Sequence, residues 1–194
     1  PNLWAYFYPQ RTASSAAFAA KRYTKMLAAF AKGVRAGDPQ AKVVAGETAP
    51  FGDESVFRTS PQRFARLLAR EGAAAWFDIY AHHPYALASP HGVGPAAMPR
   101  DPAHTVGLAN LDALLAIFPS KSLVLSEFAY ATTPNAVNAI WVSTARQASY
   151  LKAAFRVAAR YEGVEALVWF PLRDSSSTGT YRASWVDSFG LVTL

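Results

Sequence analysis

A glutamate at the end of an apolar run is the residue with the clearest chemical potential in this chain. Leu123-Val124-Leu125-Ser126-Glu127-Phe128 alternates as a strand does, and the two-residue period places Leu123, Leu125 and Glu127 on one face. Glu127 then caps a column of apolar side chains, partly desolvated, where an acid, a base or a carboxylate nucleophile can be held rigidly. Without further partners, the alternative is a glutamate paired with arginine or solvated at a rim. Other chemistry-bearing residues also stand just after apolar runs. They are Glu47-Thr48, His82-His83-Pro84-Tyr85, Trp169 and Arg173-Asp174.

The elements that position these groups alternate. Helical spacing covers 14–34, 60–70, 103–118 and 143–161, with Gly37-Asp38-Pro39 and Gly163 as stops. Ser60 is a suitable N-cap for the second helix, with Pro61 at its first position. Short apolar strands are expected at 42–46, 77–82, 122–126 and 164–170, with starts about 35 to 45 residues apart. Such strands between amphipathic helices indicate an α/β fold with a parallel sheet covered by helices. Either a doubly wound sheet or part of a (β/α)8 TIM barrel satisfies the pattern. No G-x-G-x-x-G or G-x-x-x-x-G-K turn supports a nucleotide-binding sheet. Four strand ends loaded with polar and aromatic groups favour the barrel, whose carboxyl ends share one catalytic face.

Composition sets the remaining bounds. With 52% hydrophobic and 16% charged residues, the 194-residue chain can build one sizeable core, but a whole barrel needs roughly 250 residues. Residues 1–194 are therefore expected to be a single truncated domain, the second half of a barrel carrying strands five to eight. No apolar run approaches the roughly 18–20 residues of a membrane-spanning helix. The absence of cysteine excludes disulfides, thiolate metal sites and a cysteine nucleophile. Nineteen Lys and Arg exceed 13 Asp and Glu. They recur at helical spacing (Lys21, Arg22, Lys25, Lys32; Arg63, Arg66, Arg70; Lys152, Arg156, Arg160), as solvated helix faces do, and this disfavours a nucleic-acid stripe. Zinc on His82, His83, His91 and His104 is disfavoured because adjacent strand residues diverge and no i, i+4 pair exists. No metal or other cofactor is expected, and a serine hydrolase lacks its G-x-S-x-G.

Taken together, Pro1-Asn2-Leu3-Trp4, His83-Pro84-Tyr85, Ser126-Glu127-Phe128 and Trp169 resemble the clan A glycoside hydrolases, retaining (β/α)8 barrels such as families 5 and 39. The resemblance implies Glu127 as nucleophile, with His83 and Tyr85 completing the catalytic set. It implies Trp169 as the floor of a sugar subsite. Beside it Asn2, Trp4 and His82 are candidate substrate-binding residues, Arg173 and Asp174 are expected to bond sugar hydroxyls or each other, and Glu47 to meet a substrate hydroxyl or His83 or to be solvated at the rim. Tyr6, Trp141 and Trp185 are candidates to extend the cleft. The acid/base glutamate is expected immediately before Pro1, so Glu47, one strand further on, is not assigned that role. The implied partner is a carbohydrate, an oligo- or polysaccharide of plant type, and the implied setting extracellular. The missing half of the barrel, or another chain, is expected to cover the open sheet edge. A non-catalytic sugar-binding barrel and a non-sugar enzyme using Glu127 as general base are the competing readings. As half of a catalytic pair, the chain is expected to be inactive by itself. Aryl glycoside turnover by these 194 residues that vanishes in Glu127→Gln would refute that.

Overall fold

The computed structural model describes residues 1–86, 92–133, 140–174 and 189–192. Four strands and their helices alternate in the expected order: α1 (Phe18–Gly37), β1 (Val44–Thr48), α2 (Pro61–Arg70), β2 (Ile79–His82), α3 (Asp112–Leu115), β3 (Ser122–Phe128), α4 (Thr144–Ala158) and β4 (Val164–Trp169). All neighbouring strands pair in parallel, in the order β1-β2-β3-β4. The order never reverses among the described strands, so they contain no switch point of the doubly wound kind, and crossovers of the usual right hand would put the helices on one face.

The core lies between that face and the helices. Ala19, Ala20, Tyr23, Leu27 and Ala31 recur on α1 at helical spacing and are buried. Lys21, Arg22, Lys25 and Lys32 of the same helix are exposed, as the charge spacing predicts. Phe30 is exposed as well, so the small residues rather than the large one form the packing stripe. On the sheet, Leu123, Leu125 and Phe128 are buried with Leu111, Leu114 and Val157. Val44 and Val168, near the two outer edges of the sheet, are both 43% exposed.

Two sequence expectations require correction. The helix expected over 103–118 shrinks to one 3-10 turn, Leu108–Asn110, and the single turn of α3. Upstream of it the backbone is committed elsewhere: Thr105 bridges Phe51, Val106 N–H donates to the Pro50 carbonyl, and Asn110 caps Gly107. The second correction concerns β3. Burial alternates through Leu125, then Ser126 and Glu127 are both partly exposed and Phe128 is buried. The register against β4 slips between Leu125 and Phe128. Phe128 thus takes over the buried face of Leu123 and Leu125, and Glu127 does not cap their column. An irregular residue at a strand end resets the two-residue period.

A comparable irregularity lies in β1, where the register against β2 shifts between Gly46 and Thr48. Gly46 has φ +103° and Glu47 φ +51°. A Cβ at Gly46 would stand 2.7 Å from the Ala81 carbonyl oxygen and 2.8 Å from the Tyr80 ring, both in a packed sheet. Only glycine tolerates that combination of space and dihedral. Gly46→Ala is expected to lower stability by about 1–3 kcal/mol, read as a reduced denaturant midpoint with unchanged m-value.

Candidate functional site

The carboxyl ends of β1, β2 and β3 bring five polar side chains into one cluster. Tyr85 O–H donates to Glu127 Oε2 at 3.2 Å. His83 stands between two carboxylates, with Nδ1 3.5 Å from Glu127 Oε2 and Nε2 donating to Glu47 Oε2. The Ser126 hydroxyl donates to that same Glu47 oxygen at 2.6 Å. Side-chain exposure falls from 49% for Glu47 to 29% for Glu127 and 19% for His83, so the cluster is open on the Glu47 side.

Each member is held by the layer beneath it. Tyr85 is buried, its ring stacked on Phe128 and tilted against Phe189. Burial and the neighbouring Glu127 carboxylate raise the Tyr85 phenol well above its ordinary pKa, so it stays a proton-bearing donor. For Glu47, partial burial acts upward, but the hydrogen bonds from His83 and Ser126 prevail and hold the carboxyl below its ordinary value. This pair of donors keeps Glu47 an anion at neutral pH.

Other residues proposed from sequence occupy different places. His82 is not a substrate-binding residue: it is fully buried in the central strand, with Nδ1 2.9 Å from the Thr48 hydroxyl and Nε2 3.0 Å from the Val106 carbonyl. Alternation along the strand sends His82 inward and His83 toward the cluster. Asn2 is likewise buried and spent on backbone. Its amide nitrogen donates to Thr59 O at 2.8 Å and more weakly to Ala49 O and Phe51 O, while its oxygen accepts from Ala49 N–H. Such a residue is a clamp that ties the first residues to the loop after β1, with no polar atom left to offer a sugar.

Trp169 lies one layer out. Its ring meets Phe128 edge-on at 6.0 Å, and its indole N–H donates to the Phe189 carbonyl. Asp174 accepts from Gly190 N–H, and Arg173 is exposed beside it. Trp4 and Tyr6 are exposed on the clamped segment, together with Tyr8, which stacks on Phe57 at 5.7 Å. Trp141 is partly buried, whereas Trp185 and His91 lie outside the described residues. No grouping of three or more metal-ligating side chains occurs among the described residues. Nor is any described helix long and apolar enough to cross a membrane.

Sequence reasoning missed Ser126, while the contact with His83 that it considered for Glu47 is present. The available signal for the aim of Glu47 was Gly46 inside a strand, which marks a bulge or a close backbone approach.

No family model matches the sequence, and no curated protein matches it. Solved structures do. The chain resembles Bacteroides uniformis beta-glucuronidase with a TM-score of 0.53 at 15% identity, over 94% of this chain and 19% of that one. A family 39 glycoside hydrolase from Bacteroides cellulosilyticus WH2 gives 0.55 at 16% identity, over 88% and 34%. Bacteroides uniformis beta-glucuronidase 2, in a calcium-binding mutant, gives 0.52 at 15%, over 90% and 18%. The chain thus spans between 18% and 34% of the length of these structures. At such identities the likeness is one of fold: this is a glycoside hydrolase-like α/β fold.

Burial pulls the His82 pKa down to about 3, against hydrogen bonds that act upward. A histidine neutral in the folded state and protonated when unfolded makes stability fall as pH drops from about 6.5 toward 3. The slope should approach about 1.4 kcal/mol per pH unit for one proton. Denaturant midpoints between pH 7 and 5 should show this slope in the wild type, and His82→Gln should flatten it.

Proposed function

We propose that this chain is the nucleophile-bearing part of a retaining glycoside hydrolase, acting on an oligo- or polysaccharide through Glu127. One observation carries the reading. A strand-end carboxylate of a parallel α/β sheet accepts a hydrogen bond from the phenol of a buried tyrosine and faces an imidazole, while remaining partly exposed. The glycosidase-like fold supports it.

The geometry fits double displacement. Glu127 attacks the anomeric carbon with one carboxylate oxygen, and the leaving oxygen takes a proton from a second carboxyl group, which retaining enzymes hold about 5–5.5 Å away. By the resemblance, that donor is a glutamate preceding Pro1. Tyr85 donates the hydrogen bond that orients the attacking carboxylate, and the His83 ring stands against the same oxygen. Water then gives a proton to that second carboxylate as it attacks the same carbon, and Glu127 leaves as a carboxylate. Trp169 and Trp4 supply apolar area for sugar C–H faces, and Arg173 a donor for hydroxyls.

The same reading makes residues 1–194 one half of a barrel, carrying strands five to eight. The unreversed strand order favours it, as do the exposed Val44 and Val168, which the inner face of a closed barrel would cover.

Covalent trapping tests the assignment. In the protein carrying this chain together with its preceding strands, a 2-deoxy-2-fluoro glycoside is expected to label Glu127, identified by peptide mass spectrometry. Glu127→Gln should lower turnover by roughly ten-thousand-fold. A label on any other residue, or turnover that survives Glu127→Gln, overturns the proposal.

A further inference from the structure

Glu47 has no part in the double displacement, yet the backbone is distorted to aim it. The β1 register shifts at this point, Glu47 and Gly46 both have positive φ, and the space at Gly46 excludes any side chain. The outcome is a carboxylate that reaches across β2 to two donors, the Nε2–H of His83 and the hydroxyl of Ser126. Resting on the glycosidase reading, we infer that Glu47 is a positioning residue, fixing the ring orientation and the Nε2-protonated form of His83 and thereby the nitrogen that Glu127 meets.

The reasoning follows from the donor inventory of imidazole. A neutral ring carries one N–H, and a free histidine exchanges it between the two nitrogens. A carboxylate at Nε2 demands the proton there, so Nδ1 is the atom left to face Glu127, 3.5 Å away. The ring cannot flip without turning its Nε2–H away from Glu47. Every other polar neighbour is already engaged. Tyr85 O–H is directed at Glu127, the Ser126 hydroxyl at Glu47, and His82 is bound to Thr48 and Val106. Glu127 meets Nδ1 only at 3.5 Å, whereas Glu47 accepts from Nε2 at hydrogen-bond distance, so of the two carboxylates Glu47 is the one that holds the ring.

The test reads the ring itself, in the 15N-labelled chain, by long-range 1H–15N correlation. Wild-type His83 is expected to show a protonated Nε2 with a downfield, slowly exchanging proton. Glu47→Gln keeps an accepting oxygen and should preserve that pattern, whereas Glu47→Ala should lose the downfield proton and average the two ring nitrogens. His82, whose Nε2 faces Val106, serves as the internal reference for folding. An unchanged His83 spectrum in Glu47→Ala, with His82 intact, overturns the inference. In the longer protein, Glu47→Ala should slow labelling of Glu127 by about ten- to a hundred-fold through kcat. A rise in KM alone would instead make Glu47 a substrate contact and also overturn the inference. Failure of wild-type Glu127 to label while the ring responds as expected would reject the glycosidase reading and leave the tautomer role of Glu47 standing.

Discussion

A carboxylate withdrawn from water must bring donors with it, and the arrangement at the strand ends follows from that requirement. Glu127 is 29% exposed at its side chain, wet enough to meet a substrate yet too enclosed to be hydrated on all sides. Its donor, Tyr85, is useful only because the ring beneath it cannot move. Tyr85 stacks on Phe128, Phe128 meets Tyr130 and Trp169 edge-on, and Tyr130 packs on Tyr150 of α4. Aromatic pairs of this kind add about 0.5–1.5 kcal/mol each beyond the area they bury. A continuous layer therefore runs from the long helix through the sheet end to one phenolic oxygen.

The loops at this end are fastened by a second device, buried amides spent on backbone. Asn2 holds Ala49, Phe51 and Thr59, Gln10 holds the carbonyls of Pro1 and Phe7, and Gln62 holds those of Pro102 and Ala103. Loops cannot satisfy their own backbone as strands and helices do, so a buried Asn or Gln that bonds several carbonyls substitutes for the missing ladder. This accounts for Asn2 as a structural residue. The polarity that makes an asparagine attractive as a sugar ligand is the same polarity that a buried loop requires.

Much of the fold was legible because it depends on local periodicity. The strands and most of the helices follow from spacings of 2 and 3.6 residues, whereas which of His82 and His83 turns inward did not emerge from spacing alone. The convergence of Glu127, His83 and Tyr85 followed from strand ends that must share one edge of a parallel sheet. Illegible were the features that break the period. The irregularity before Phe128 removes Glu127 from the Leu123–Leu125 column, and Thr105 and Val106 pair with the loop after β1 instead of opening a helix. Both depend on long-range backbone partners, which no window of sequence contains. Gly46 was the exception, a visible sign whose consequence for Glu47 needed the register to interpret.

Magnitudes separate a structural role for Glu47 from a chemical one. A hydrogen bond contributes about 0.5–1.5 kcal/mol net, and Glu47, 49% exposed at its side chain, accepts two. A non-glycine residue held at positive φ costs on the order of 1–3 kcal/mol. The hydrogen bonds from His83 and Ser126 are of the same order as that cost, so no net gain in stability accounts for the distortion. Packing gives no compensation, because Glu47 is an exposed residue with buried neighbours on either side, Gly46 and Thr48. A strained carboxylate aimed at an imidazole, which in turn faces a second carboxylate, is therefore better explained by what it does to Glu127 than by what it does for the fold.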